Sequence, residues 1–211
     1  MNILIDELRK ETFPILFTHK DLKKLHFDAS ELEELLEETL MDKSVHHIYK
    51  DIYTLARMYR RSLVSEAVLA QMIVPDSYVS TYYVLGMAGW IPEAVHNVSS
   101  ITNTQSIDID TDKFGSFFYN KIYDSIPAGG IHIEEDDNGT YKSATPLRAV
   151  CDYICMFNKN WDSVEDLAIN LRIHNEDLEE LSKEDFDELH SQFGIKNAED
   201  FLVGLRKDLG L

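Results

Sequence analysis

The stretch DASELEELLEETLMDKS, residues 28–44, and the segment directly after it constrain the fold most. Its four leucines recur at helical spacing, and overlapping capping-box patterns that begin at Asp28 and Ser30 favour a helix start there. The segments VHHIY and IYTLA follow, separated only by Lys50 and Asp51, and both have the composition of strands. We therefore predict a helix followed by a tight hairpin.

Two further short helices are predicted ahead of this stretch. Residues 2–12 form the first, which stops before Pro14, and the capping-box sequence THKD at 18–21 opens the second. Three short helices followed by a hairpin give the chain order of a winged helix-turn-helix, a variant of the DNA-binding helix-turn-helix. We predict that fold for residues 1–62.

The rest of the chain makes the predicted fold class α+β. Residues 63–160 read as a mixed α+β domain, in which Gly, Asn and Asp divide the strand-like material between 95 and 143. Residues 161–211 read as a helical, very acidic C-terminal extension packed on that domain, with a net charge of −9 from 14 acids and five bases.

Several helix boundaries follow from local signals in these two parts. Helices are predicted over 65–72, over 78–87 with an end near Gly89, and from Pro146 onward, where proline suits the first helical turn. The sequences SVED, SKED and NAED predict helix starts in the extension, and Gly194 predicts a helix C-cap.

The charge distribution limits where nucleic acid could bind. The net charge is −18, but ten of the 20 Lys and Arg residues lie in the first 75 residues. They are either ordinary solvated charges or a phosphate-contacting rim around the winged helix. The candidate DNA-binding residues are Lys20, Lys23, Lys24, Lys43, His47, Lys50, Arg57, Arg60 and Arg61.

The predicted third helix argues against direct base reading. After the capping residue Asp28 it carries six acids, and its only cation is Lys43. Exposed glutamates near a polyanion lose hydration, and cytosine amino groups are the favourable partners that DNA offers them. If the protein contacts DNA, we expect the other cations to make the contact.

Signals for secretion, membrane insertion and catalysis are weak. The N-terminus MNILIDELRK is not a signal peptide, and no apolar run approaches the length of a membrane span, so we predict a cytoplasmic protein without a membrane contact. Cys151 and Cys155 are predicted to be reduced core thiols on one helix face. No cofactor, metal or catalytic site is predicted.

One carboxylate series could suggest a metal. Asp108, Asp110 and Asp112 have calcium-loop spacing, but Lys113 and Tyr119 occupy positions that require Gly and Glu. A solvated hairpin is therefore the favoured interpretation. A metal-dependent nuclease that combines Asp108 or Asp110 with Glu134 remains a weak alternative, because nothing in the sequence fixes the spacing of these residues.

Four motifs in order carry a family resemblance: FPILFTHKDLKKL near the start, SYVSTYYVLGMAGWIPEAV at 77–95, FGSFFYNKI at 114–122, and SATPLRAVCDYI at 143–154. Over residues 13–157 the chain resembles the AbiEi-type antitoxins, transcriptional regulators of bacterial phage-defence toxin-antitoxin modules. The resemblance implies a winged helix that binds operator DNA at its own promoter. It also implies a larger C-terminal domain that counteracts a nucleotidyltransferase-type toxin. The matching C-terminal positions are Ser77, Tyr78, Ser80, Gly89, Pro92, Thr145, Pro146, Arg148 and Asp152.

Two departures from the family pattern leave an alternative open. Leu147 stands where the family usually has Glu, and Asp51 stands in place of a wing glycine. Together with the acidic third helix, they are also consistent with a protein-interaction module that does not bind DNA and whose acidic surface docks on a basic partner.

Overall fold

The computed structural model describes residues 2–190 and 193–211 and has a mixed α+β architecture. The N-terminal part contains α1 (Ile3–Leu8), β1 (Leu16–Thr18), α2 (His19–Leu22), α3 (Ala29–Met41), β2 (Val45–Tyr49) and β3 (Ile52–Leu55). A middle part follows, with α4 (Glu66–Ile73), β4 (Ser77–Val79), α5 (Thr81–Met87), β5 (Val98–Thr102), β6 (Ile107–Thr111), β7 (Gly115–Lys121), β8 (Ile131–Asp136) and β9 (Gly139–Ala144). The chain continues with α6 (Pro146–Phe157), α7 (Val164–Leu171), a 3-10 helix (Asn175–Leu178), α8 (Lys183–Leu189) and α9 (Lys196–Asp208).

The predicted third helix and hairpin are confirmed. Asp28 caps α3 by accepting a hydrogen bond from the backbone N–H of Glu31 at 2.8 Å, which satisfies a donor that would otherwise lack a partner in the first turn. Strands β2 and β3 pair antiparallel around Lys50, whose positive φ of 49° belongs to the turn. The first helix is shorter than predicted, because it ends at Leu8.

The N-terminal sheet has the strand order β1-β3-β2 and is antiparallel. Its two faces contact different cores, since alternate residues of a strand point to opposite sides. Phe17 and Leu55 belong to a small core with α1 and α3. Leu16 and Ile52 instead belong to the large core that the rest of the protein builds.

The large sheet is mixed and has the strand order β6-β7-β5-β4-β9-β8. The pairs β4–β9 and β5–β7 are parallel, and the other neighbours are antiparallel. Helix α4 lies on one face, where the hydroxyl of Tyr119 donates to the carbonyl of Ala70 at 2.9 Å. Helix α5 lies on the opposite face, where the hydroxyl of Thr81 donates to that of Ser99 at 2.6 Å.

The prediction of a helix over 78–87 was wrong at its start. Residues 77–79 form β4, which lies between β5 and β9, and helix α5 begins only at Thr81. A strand buried on both faces is a continuous apolar run, so periodicity cannot separate it from a buried helix. The predicted end is confirmed, because Gly89 has a φ of +74° and the N–H groups of Gly89 and Trp90 bond back to Gly86 and Leu85.

The C-terminal extension is helical, as predicted, and packs on α6 mainly through α9. Ser163 and Ser182 are the N-caps of α7 and α8, which confirms two of the three predicted helix starts. Helix α9 begins at Lys196, just before NAED. The assignment of Gly194 as a C-cap was wrong, because α8 already ends at Leu189.

Candidate functional site

The first group of candidate DNA-binding residues lies around α2. Lys20, Lys23 and Lys24 are all exposed. The Nζ atom of Lys24 lies 2.7 Å from a carboxylate oxygen of Asp21, and this contact lowers the pKa of Asp21 against the opposing effect of its partial burial. Asp21 also completes the capping box with Thr18 that opens the helix. Lys20 and Lys23 have no ion-pair partner among the described residues.

The second group surrounds the β2–β3 hairpin. Lys43 follows α3 with a φ of +63°, and Lys50 occupies the hairpin turn, and both are exposed. The Nζ atom of Lys50 lies 5.1 Å from the ring centroid of Tyr49. His47 is exposed as well, and its Nε2 contacts the carbonyl oxygen of Lys50, so this imidazole helps to hold the turn.

The third group of candidate residues follows β3, and two of its members contact other parts of the protein. Arg57 is exposed. Arg61 donates from Nη1 to the carbonyl oxygen of Phe13 at 2.9 Å. The guanidinium of Arg60 lies 5.7 Å from the ring centroid of Phe114, and its Nε and Nη1 are buried without a hydrogen-bond partner among the described residues. Burial, and then the charge of Arg57, lowers the pKa of Arg60.

The outer face of α3 is acidic over its whole length. Leu32, Leu36 and Thr39 are buried on its inner face. The exposed acids are Glu31, Glu33, Glu34, Glu37 and Glu38. This helix therefore presents carboxylates, whereas the nine candidate residues lie outside it.

Four of the motif positions in the C-terminal part meet in one place. The carboxylate of Asp152 accepts hydrogen bonds from the hydroxyls of Tyr78 at 2.8 Å and Ser80 at 2.7 Å, and from Nε of Arg148 at 2.9 Å. Tyr123 donates to the same carboxylate at 2.7 Å. We call these five residues the buried polar network.

The buried polar network is closed to solvent and fully hydrogen-bonded at its centre. Arg148 and Asp152 both have no exposed surface. The guanidinium also donates to the carbonyl oxygens of Pro127 at 3.1 Å and Gly129 at 2.5 Å, and to the hydroxyl of Tyr78 at 2.8 Å. It lies 4.7 Å from the ring centroid of Phe193. These contacts tie α6 to β4, to the segment before β8 and to the C-terminal extension.

The electrostatics of the network favour a permanent ion pair. Burial is the largest single effect and opposes the charge of Arg148, but Asp152, Tyr78 and Tyr123 together outweigh it, so the pKa of the guanidinium is raised. Burial, and then the charge of Asp152, raises the pKa of Tyr78 and of Tyr123. Both phenols therefore remain protonated and donate to the carboxylate. With all groups paired and solvent excluded, the network holds the fold together.

The other motif positions have structural roles at element ends. Thr145 caps α6 by accepting from the N–H of Arg148 at 3.2 Å, and Pro146 occupies the first turn. The hydroxyl of Ser77 donates to the carbonyl of Val74 at 2.7 Å. Gly89 ends α5, and Pro92 is exposed in the loop beyond it. Sequence reasoning missed Tyr123, which follows β7 without any local signal for a network partner.

The carboxylates proposed as a metal site do not meet. The hairpin interpretation is confirmed, because β6 and β7 pair antiparallel across the turn 112–114. Asp108 and Asp110 lie on β6 and Glu134 lies on β8, which are opposite edges of the large sheet. Five strand spacings separate them, roughly 24 Å, so the nuclease combination of these residues is wrong. Within residues 2–190 and 193–211, no three His, Cys, Asp or Glu side chains converge as a metal site.

Two further expectations concern α6 and the membrane. Cys151 is buried and Cys155 partly buried, both are free thiols, and burial raises the pKa of Cys155 to about 12. A thiol of that pKa is unreactive at neutral pH.

In the described part of the chain, every helix is too short or too polar to cross a membrane.

Comparison of this sequence with protein-family models and with curated proteins finds no match. What the chain does is therefore inferred from the candidate basic residues, the acidic face of α3 and the buried polar network.

Proposed function

We propose that this protein is an antitoxin-like transcriptional regulator. Its N-terminal part is a winged helix that binds DNA at its own promoter, and its larger C-terminal part counteracts a nucleotidyltransferase-type toxin. The proposal of a DNA-binding winged helix rests on the chain order α1-β1-α2-α3-β2-β3 together with the sheet order β1-β3-β2. This order and this pairing support the proposal of a winged helix.

The distribution of cations supports DNA contact through the periphery of this unit. Lys20, Lys23 and Lys50 are exposed and extend from α2 and from the hairpin turn. Lysines of this kind attract phosphates irrespective of sequence and set the orientation of a protein on DNA. The acids of α3 make that helix a poor reader of bases, so recognition depends on phosphates and on DNA shape.

The four motif positions that meet in the buried polar network support the resemblance of the second part to the antitoxin family. Tyr78 and Asp152 are 74 residues apart in sequence, and Ser80 and Asp152 are 72 apart. These residues occur together because the network that they share fixes the relative positions of β4 and α6. The toxin would then contact the surface that this framework supports.

A gel shift with the DNA upstream of the gene tests the first half. We expect a shift at about 50 mM salt that weakens steeply by about 200 mM, because phosphate contacts release counterions. A double variant, Lys23→Ala with Lys50→Ala, should weaken it, whereas Lys183→Ala on α8 should not. Absence of a shift at low salt would contradict DNA binding.

The antitoxin part of the proposal is tested by searching the neighbouring reading frame for a nucleotidyltransferase and by co-expressing that protein with this chain. Growth should be restored by the full chain and by the Lys23→Ala, Lys50→Ala variant, because toxin neutralisation does not require DNA contact. Failure of both to restore growth would contradict the antitoxin role.

The acidic face of α3 favours a second candidate, a module that docks on a basic partner and does not bind DNA. The double variant Glu34→Lys, Glu37→Lys reverses the charge at two exposed positions of α3 and distinguishes the two candidates. If the protein binds DNA only through its periphery, this change should raise its DNA affinity no more than Glu179→Lys with Glu180→Lys, a matched change at exposed positions of the C-terminal extension. As a docking module, it should lose its protein partner only with the first pair.

A further inference from the structure

A cleft lies between strand β2 of the N-terminal sheet and the turn that joins β6 and β7 of the large sheet. Its volume is about 460 Å³, within the range of small-ligand sites. Lys43 and His46 line it from the N-terminal side, and Asp112, Lys113 and Phe114 line it from the turn. Both parts of the protein therefore contribute to one cavity.

The cations of this cleft have no carboxylate partners within salt-bridge distance among the described residues. The Nζ atom of Lys113 lies 3.2 Å from Nδ1 and 3.1 Å from Nε2 of His46. Being equally close to both ring nitrogens, this ammonium is not directed at a single lone pair, and most of its three N–H donors remain available. Lys43 is exposed at the end of α3 and has no ion pair in the described part of the chain.

A third cation, Arg60, lies behind the side of the cleft that Phe114 forms. Its guanidinium lies against Phe114, whose ring lines the cleft. Nε and Nη1 are both buried and make no hydrogen bond to the described residues. Arg60 therefore contributes its positive charge to this side of the cleft.

His46 lies within the field of all three cations. Partial burial lowers its pKa most, and the charges of Lys113, Arg60 and Lys43 lower it further. An imidazole under that influence is neutral at neutral pH, so it can accept a hydrogen bond from Lys113 or donate one to a ligand. Three positive charges thus converge on a neutral ring in a chain whose net charge is −18.

Two carboxylates also line the cleft and reduce its positive charge. Oδ1 of Asp110 accepts the hydroxyl hydrogen bond of Ser116 at 2.5 Å, so that group is already engaged across the hairpin. Asp112 is exposed in the turn. Neither pairs with Lys43 or Lys113 within salt-bridge distance, which leaves the two lysines that line the cleft available to an incoming anion.

We propose that this cleft binds a phosphate group, held by Lys43 and Lys113 with His46 beside it and the charge of Arg60 behind Phe114. A phosphate has several acceptor oxygens and up to two charges, which suits lysine donors that converge from two elements, whereas a carboxylate has only two oxygens. The group belongs either to a small phosphorylated compound or to the backbone of DNA. Because Lys113 and Lys43 come from different parts of the protein, the ligand bridges the N-terminal sheet and the large sheet.

The test is calorimetric titration of the full chain with pyrophosphate at low ionic strength and neutral pH. We expect binding, and a loss of about tenfold or more in affinity for Lys113→Ala, since a charge-assisted hydrogen bond is removed. Lys113 is exposed in a turn, so the variant should fold, and an unchanged urea midpoint verifies this. The matched control, Lys183→Ala on α8, should bind pyrophosphate as the parent does.

A second titration with a short DNA duplex distinguishes the two sources. A loss of pyrophosphate affinity in Lys113→Ala with unchanged DNA affinity identifies a small phosphorylated compound. A loss of DNA affinity in the same variant, with Lys183→Ala unaffected, identifies a DNA phosphate. The proposal is overturned if neither probe binds the parent, or if both lysine variants lose affinity equally.

Discussion

Arg148 and Asp152 form a fully buried ion pair one turn apart on α6, with Nε 2.9 Å from Oδ1. Tyr78, Tyr123 and Ser80 complete the hydrogen bonding of the carboxylate. Desolvating two charges is costly, so such a pair is stable only when every remaining donor and acceptor is satisfied. Removal of one partner leaves the other as an uncompensated charge in the core.

Asp152→Asn should therefore destabilise the protein strongly. We expect a loss of about 3–5 kcal/mol in the free energy of unfolding, because Arg148 stays charged without a counterion. Urea unfolding followed by circular dichroism measures it. The control Asp200→Asn breaks the exposed pair with Lys196 and should have little effect. A similar small effect in both variants would contradict the structural role of the network.

Gly204→Ala should disturb the packing of α9 against the segment that joins α6 and α7. A Cβ at Gly204 would overlap the carbonyl of Asp162, which is backbone and cannot rotate away. The expected loss is about 1–3 kcal/mol or more, although alanine is the better helix former. Val203→Ala, at an exposed neighbouring position of α9, is the control in thermal unfolding. Equal melting temperatures for the two variants would argue against close packing there.

His46 should give the stability of the protein a component that depends on pH. Its pKa is lowered in the folded state by burial and by Lys113, Arg60 and Lys43, whereas the unfolded chain has a value of about 6.5. Protonation then favours the unfolded state, so this contribution is present above pH 6.5 and is lost as the pH falls through the folded-state pKa.

His46→Gln isolates that contribution. Urea unfolding at about pH 7.5 and pH 5 should show a smaller loss of stability on acidification for the variant than for the parent. The other histidines titrate equally in both chains and cancel in the comparison. The same loss in the two chains would show that neither burial nor the surrounding cations lower the pKa of His46 in the folded protein.

The salt dependence of DNA binding should report the number of peripheral phosphate contacts. For Lys23→Ala with Lys50→Ala, we expect the slope of log affinity against log salt to become shallower by about 0.9 for each contact removed. Fluorescence anisotropy over a salt series measures both slopes. If the double variant changed affinity without changing the slope, these lysines would not contact phosphates.

Features that depend on neighbouring residues were predictable from the sequence. Thr18, Asp28, Ser163 and Ser182 were recognised as parts of helix starts, and each is the N-cap in the structure. The hairpin over β2 and β3 was predicted for the same reason. These signals act within a few residues, so sequence alone contains them.

Features that depend on distant pairing were not predictable. Tyr78 and Val79 are in a strand because they pair with β5 and β9, which are distant in sequence. The local residue pattern does not show this pairing. Lys113 and His46 are 67 residues apart in sequence, so the cleft exists only because two sheets are adjacent. The motif positions Tyr78 and Asp152 were singled out by resemblance, but their hydrogen bond required the fold.

The N-terminal sheet has one face on the small core and the other on the large core, through Phe17 and Leu55 on one side and Leu16 and Ile52 on the other. A fragment that ended at residue 62 would turn Leu16 and Ile52 toward water. Such a truncated protein would self-associate through that strip, and DNA measurements on it would describe an aggregate.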